Sequence, residues 1–157
     1  RLTEITSGGD DSGISFTVVG TDVNGDSMTE SITGADSGAA TGSKYFKTIT
    51  SITAVGDPAG TVIAGTTADA ADVVFKGRTR VRGLSIVNDA AAGTVDIVNT
   101  SDAGAIGSGT STFKVGTVAD ANAVSGVAIP EDGVLFKDGA YVKFAIGKCE
   151  SLTVFRD

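Results

Sequence analysis

Three arginines at every second position form the most distinctive charge pattern of the sequence: Arg78, Arg80 and Arg82. Because successive side chains of a β-strand point to opposite faces, this spacing predicts that the three guanidinium groups share one face. Thr79 and Val81 are then predicted to lie on the other face. Like charges in a row repel one another, so this arginine row needs carboxylates beside it. They come either from this acidic chain itself or from a partner protein that docks on the row, and both interpretations remain open.

The sequence contains no histidine, on which many catalytic and metal sites depend. Its absence excludes Ser-His-Asp and Cys-His nucleophile systems and also histidine-based zinc sites. The single cysteine, Cys149, is predicted to be a small buried apolar residue rather than a nucleophile. A hydrolase with a carboxylate pair is the remaining enzymatic hypothesis, but the pair Glu131 and Asp132 lies in a predicted solvated turn. We therefore expect no enzyme activity, no catalytic residues and no cofactor.

Oxygen-bearing side chains alternate at Asp22, Asn24 and Asp26, which is how many calcium-binding loops begin. Such a loop would continue with glycine at position 27 and glutamate at position 33, where this chain has Ser27 and Thr33. The Asn-Gly pair within the segment is typical of a tight hairpin turn. A hairpin with a polar tip is therefore predicted and no metal site is assigned, with calcium binding as the alternative.

The elements that carry these residues are predicted to be β-strands. β-branched residues recur along the chain, and 22 glycines against two prolines indicate many tight turns. In a predicted strand from Ser27 to Thr33, three residues alternate on one face: Met28, Glu30 and Ile32. Thr79–Asn88 is predicted to be the strand that carries most of the arginine row.

The fold class predicted is all-β, with two small antiparallel β-sandwich or barrel-like units in tandem. The units are residues 1–68 and 69–157. The small and acidic segment 66–72 is predicted to connect them. Within the first unit, residues 34–43 are predicted to form a loop, and residues 45–55 one longer strand.

The net charge of −7 argues against two classes of partner, nucleic acid and anionic membranes. No apolar run approaches the roughly 18 residues that a membrane-spanning helix needs. One cysteine also excludes an intramolecular disulfide framework. A unit of this size buries only roughly 60% of its unfolded surface and is marginally stable alone. We therefore expect the protein to function in an assembled state.

Five segments, from both halves of the chain, resemble segments that recur in small virion proteins of tailed bacteriophages. The segments that carry the resemblance are Ile14–Asp26, Thr29–Gly34, Tyr45–Ile52, Ile129–Val142 and Ser151–Phe155. The resemblance implies a capsid-decorating, head-fibre or tail-associated protein, and it supplies no catalytic residues. It also implies contacts with the major capsid protein and with copies of the chain itself, as a trimer in many phage accessory proteins.

Two functional hypotheses follow. The first is a capsid decoration or cement protein on the outer surface of the head, with the arginine row among its contact residues. The alternative is a tail- or fibre-associated protein that contacts host glycans. Sugar binding usually requires exposed aromatic rings. Tyr45, Tyr141 and the phenylalanines are the only candidates, and most of them are predicted to lie in the core.

Overall fold

The computed structural model describes every residue, Arg1–Asp157, and confirms the all-β prediction. The strands are β1 (Leu2–Ser7), β2 (Ser15–Thr21), β3 (Ser27–Thr33), β4 (Ala39–Tyr45), β5 (Thr48–Val55), β6 (Val62–Thr66), β7 (Asp69–Phe75), β8 (Thr79–Asn88), β9 (Gly93–Asn99), β10 (Ser111–Thr117), β11 (Val124–Ala128), β12 (Val134–Phe136), β13 (Ala140–Ala145) and β14 (Cys149–Arg156). A single 3-10 turn, Ala103–Ala105, precedes β10. The structure contains no helix with the length and apolar character needed to cross a membrane.

The chain divides into two compact units, unit 1 (Arg1–Thr67) and unit 2 (Ala68–Asp157). The boundary predicted from the sequence lies between residues 68 and 69. The predicted connector 66–72 is wrong in its extent, because only two residues separate β6 from β7. Residues Asp69–Phe75 form a strand that pairs with β13 from end to end, with one irregularity at Val74. Cross-strand pairing therefore outweighs the low strand propensity of the small and acidic residues at its start.

Unit 1 is built from two antiparallel three-stranded sheets, with strand orders β4-β1-β6 and β3-β2-β5. Its core contains five buried side chains from the two sheets, Ile5, Phe16, Val18, Met28 and Ile32, and Phe46 from the connection between β4 and β5. β3 shows the alternation expected for a strand with one face in a core, since every second residue is buried. The predicted loop 34–43 is wrong for residues 39–43, and the predicted strand 45–55 is wrong only at its start. Residues Ala39–Tyr45 pair with β1 as β4, and β5 begins only at Thr48.

Unit 2 contains a four-stranded antiparallel sheet with the order β10-β9-β13-β7. In its second sheet, β14 pairs with one edge of the central strand β8, and β11 and β12 share the other edge. The buried core includes Val81, Leu84, Ile86, Val95, Ile97, Phe136 and Val142. β8 has the predicted bounds, and its long apolar alternation makes it the strand around which the second sheet is organised.

Candidate functional site

The arginine row lies at the beginning of β8, but only two of its members belong to the strand. β8 starts at Thr79, so Arg78 lies in the bend before it and is exposed. The predicted shared strand face therefore contains Arg80 and Arg82, while Arg78 lies outside the strand. The opposite face is as predicted, because Thr79 is 4% exposed and Val81 is fully buried.

Arg82 is held by acidic and carbonyl groups of the same chain. Its Nε donates to Asp157 Oδ2 over 2.6 Å, and its Nη2 lies 2.5 Å from the same oxygen. Its Nη1 donates to the Glu131 carbonyl over 3.1 Å. Arg80 Nη1 donates to the Asp132 carbonyl over 3.2 Å. Two of the three guanidinium groups therefore have partners within the chain. This agrees with the first interpretation, in which the row is neutralised by the chain itself.

Two neighbouring strands bring these partners to the arginines. On one side β14 pairs with β8, and the Asp157 N–H donates to the Arg80 carbonyl over 3.2 Å. Thr79 Oγ1 donates to the Asp157 carbonyl over 2.6 Å. On the other side β12 pairs with the start of β8, after a turn that ends at Gly133.

That turn requires glycine at position 133. The φ of Gly133 is +71°, and a Cβ there would lie 2.5 Å from the Val81 carbonyl oxygen. Such a backbone conformation is rarely adopted by residues with a side chain. Gly133 therefore fixes the position of the carbonyl groups of residues 131 and 132, to which Arg82 and Arg80 donate.

The Arg82–Asp157 pair makes one pH-dependent prediction. The hydrogen bond from Arg82 holds the pKa of Asp157 below its ordinary value. Because the folded-state pKa is lowered, the contribution of the pair is fully present above the unfolded pKa. It is lost as the pH falls through the lowered, folded-state pKa. NMR titration of the Asp157 carboxyl group should show this lowered midpoint, and Arg82→Ala should raise it.

Arg78→Ala is the matched control for that titration, because it removes an exposed arginine that makes no contact with Asp157. It should leave the Asp157 midpoint where it is in the unchanged protein. Equal midpoints in the unchanged and Arg82→Ala proteins would contradict the pairing.

The predicted calcium-like segment forms the β2–β3 hairpin turn. Asp22 Oδ1 accepts hydrogen bonds from the N–H of Asn24 over 2.8 Å and of Asp26 over 2.9 Å. Gly25 has a φ of +89°, as a tight turn at this position requires. The structure holds no group of three or more acidic or cysteine side chains placed to bind a metal ion. The Asp22 carboxylate therefore stabilises its own turn.

Cys149 is buried at the start of β14, as predicted. Its Sγ donates to the Ser151 carbonyl over 3.3 Å. Burial, and after it the charge of Asp89, raises the pKa of the thiol. A raised pKa favours the thiol over the reactive thiolate, so this environment suits a packed residue rather than a nucleophile.

A groove of about 370 Å³ lies between β7 and β14, at one side of unit 2. Apolar side chains line it, among them Val74, Phe144 and Leu152, and Cys149 is also part of the lining. Arg156 crosses from β14 to β7, where its guanidinium group lies 4.4 Å from the centre of the Phe75 ring. The predicted turn with Glu131 and Asp132 is exposed and contributes nothing to this groove.

A second surface, the outward face of sheet β3-β2-β5, was not predicted from the sequence. Hydroxyl groups cover this face, with two valines, Val19 and Val55, among them. We call it the hydroxyl face, and its members are Ser15, Thr17, Thr21, Ser27, Thr29, Ser31, Thr33, Thr48, Ser51 and Thr53. It carries no charge, although unit 1 has eight acidic and three basic residues, a net charge of −5. The alternation of serine and threonine in three segments was the signal that could have identified it.

Hydrogen bonds between strands order this face. Ser15 Oγ and Ser31 Oγ are 2.5 Å apart on β2 and β3. Thr21 Oγ1 and Thr48 Oγ1 are 2.7 Å apart on β2 and β5. Two pairs of hydroxyl groups therefore bind one another across the sheet, and the face as a whole presents methyl and hydroxyl groups without formal charge.

Comparisons with known proteins give this chain no relative: no family model, no curated protein and no solved structure matches it.

Proposed function

We propose that this protein is a structural component of a tailed-phage virion that binds the outer surface of the head as a decoration or cement protein. The observation that carries the proposal is the uncharged hydroxyl face within a unit of net charge −5. A surface that packs against another protein must lose its water, and uncharged groups lose it at much lower cost than carboxylates. The resemblance to small phage virion proteins supports the same conclusion.

The proposed partners are the major capsid protein and copies of the chain itself. A shell component present in many copies is stabilised by binding, since any partner that binds only the folded state lowers its free energy. Neither nucleic acid nor a membrane is part of the proposal, because the net charge of −7 opposes binding to anionic surfaces. No enzymatic step is part of it either.

The arginine row is the proposed contact with an acidic patch of the capsid. Arg78 is exposed and lies outside the paired strand, so its guanidinium group is available to a partner. The Arg82 side chain keeps 45% of its surface exposed while it is bound to Asp157. Arg78 is therefore the member whose replacement should affect binding without disturbing contacts inside the chain.

Binding to expanded capsids that lack this protein tests the proposal. Purified protein should bind saturably, and Arg78→Glu should weaken binding about tenfold, because charge pairs at interfaces contribute more than 1 kcal/mol. Lys137→Glu makes the same charge change at another exposed position of unit 2 and should bind like the unchanged protein. Absence of saturable binding at every salt concentration would refute the proposal, and equal losses in both variants would refute the role of Arg78.

The glycan-binding alternative has less support from the side chains. Tyr45 and Tyr141 are 6% and 0% exposed, so neither ring can stack on a sugar. Phe155 is 54% exposed and is the aromatic residue best placed for such a contact. Binding on a glycan array that Phe155→Ala abolishes would favour this alternative over capsid decoration.

A further inference from the structure

Every open β-sandwich must protect the strands at its edges, where N–H and C=O groups have no partner. In unit 1, one side is protected by contacts between β3 and β4. Glu30 Oε1 accepts from the N–H of Ser43 over 2.6 Å and of Lys44 over 3.1 Å. Lys44 Nζ then donates back to the Thr29 carbonyl over 2.9 Å. Charged side chains thus bridge the two edge strands on this side.

The opposite side of unit 1, formed by the edge strands β5 and β6, has no such protection. Neither strand contains a charged residue or a proline. Val55 and Ile63 are 63% and 62% exposed, and Ile49 is 37% exposed. One bulge, at Thr50, interrupts the pairing of β5 with β2, and the rest of the strand is regular. Uncharged edge strands with exposed apolar side chains are sites of strand addition.

The edge strands of unit 2 differ from β5. Charged residues occur in three of them, at Asp72 in β7, Lys114 in β10 and Glu150 in β14. β11 is shorter and contains Gly126, and β12 has only three residues. β5, with eight residues and no charge, is therefore the edge best suited to pair with another chain.

The charges that flank β5 indicate which chain it pairs with. Lys47 precedes the strand and Asp57 follows it closely, and both are exposed. In an antiparallel pair of two β5 strands, the Lys47 end of each copy meets the Asp57 end of the other. The contact is then self-complementary at both ends, as a twofold interface requires. Parallel pairing would bring like charges together instead.

We propose that β5 is a self-association strand, on which β5 of a second copy pairs in antiparallel orientation. The pairing joins two three-stranded sheets into one of six strands and makes the hydroxyl face continuous across both copies. It also covers exposed apolar side chains, Val55 above all. The inference deepens the proposed function by identifying the surface through which copies bind one another, but it does not require the capsid.

Lysine substitutions on the two edges of the same sheet test the proposal. The mass in solution, measured by sedimentation from dilute to concentrated protein, should approach that of a dimer. Ser51→Lys with Thr53→Lys on β5 should weaken dimerisation about tenfold or more, because like charges then meet across the pair. Thr29→Lys with Ser31→Lys adds the same charge on β3, at exposed positions opposite the same β2 residues, and should leave the dimer intact.

Net charge alone cannot produce this difference, since both double variants reduce the negative charge of the chain equally. A chain that remains monomeric at all concentrations, or forms a trimer, would overturn the proposal, as would equal weakening by both variants. Capsid binding is measured separately. A protein that forms the dimer but does not bind capsids would refute the proposed function without contradicting the β5 contact.

A charge exchange at the two ends of β5 provides a second test. Lys47→Glu should weaken the dimer about tenfold, because it places two acidic side chains at each end of the pair. Asp57→Lys should weaken it similarly by placing two lysines there. The combination of both substitutions restores opposite charges and should restore most of the affinity. Failure of the combined variant to recover would overturn the antiparallel arrangement.

Discussion

Glu30→Ala is expected to lower the free energy of unfolding of unit 1 by about 3 kcal/mol, the range for losing several hydrogen bonds to a charged group. Glu30 is 7% exposed and faces the core between Met28 and Ile32. Its Oε1 accepts from the N–H and Oγ of Ser43, over 2.6 and 2.9 Å, and from the N–H of Lys44. Without the carboxylate, these donors lose their acceptor, and β3 and β4 lose their bridge.

The reason for this bridge lies in the irregular pairing of β4. Three residues of β4 stand opposite Thr3 of β1, so the amides of Ser43 and Lys44 turn away from the sheet. Glu30 supplies the acceptor that β1 does not. Gly42 is needed in the same place, because a Cβ there would collide with Glu30 Oε2. Backbone amides that leave a strand ladder need another acceptor, and Glu30 provides it at this bulge.

Hydrogen exchange of unit 1 amides in urea measures the effect of Glu30→Ala. Glu30→Gln should lose about half as much stability, because its amide oxygen still accepts hydrogen bonds, without the negative charge that strengthens them. Glu150→Ala removes an exposed glutamate of unit 2 and should leave the exchange of unit 1 unchanged. A loss below about 0.5 kcal/mol for Glu30→Ala, the level of an ordinary surface substitution, would contradict the bridging role.

Glu30 also illustrates how much of the fold the sequence could predict. The alternation of β3 correctly placed Glu30 on the same face as Met28 and Ile32, since period two follows directly from strand geometry. The hydrogen-bond donors that stabilise a carboxylate on that buried face could not be predicted. Its partners belong to Ser43 and Lys44, in a segment whose glycine, alanine and serine residues have low strand propensity and suggested a loop.

The arginine row shows the same limit. The bounds of β8 and the shared face of Thr79 and Val81 followed from local alternation. The ion pair between Arg82 and Asp157 joins residues 75 positions apart, and no local pattern encodes such a contact. The hydroxyl face could have been predicted from its serine and threonine alternation. Its significance depends on knowing that β2, β3 and β5 are neighbours, which is a property of topology.

Phe136→Ala is expected to lower the free energy of unfolding of unit 2 by about 4 kcal/mol, as for other fully buried aromatic residues. Phe136 is 0% exposed and belongs to the core cluster that includes Val81 and Leu84. Urea unfolding followed by hydrogen exchange of unit 2 amides measures the loss. Phe155→Ala removes the same ring from a 54% exposed position and should cost less than about 1 kcal/mol.

The effect of Phe136→Ala should reach the arginine row as well as the core. β12 has only three residues paired with β8, so its few ladder hydrogen bonds hold it weakly, and the buried ring supplies most of its attachment. The preceding turn offers the carbonyls of Glu131 and Asp132 to Arg82 and Arg80. Faster amide exchange at residues 131–136 in folded Phe136→Ala protein, with β14 still protected, is therefore expected. Unchanged exchange there would mean that the arginine contacts alone hold the turn in place.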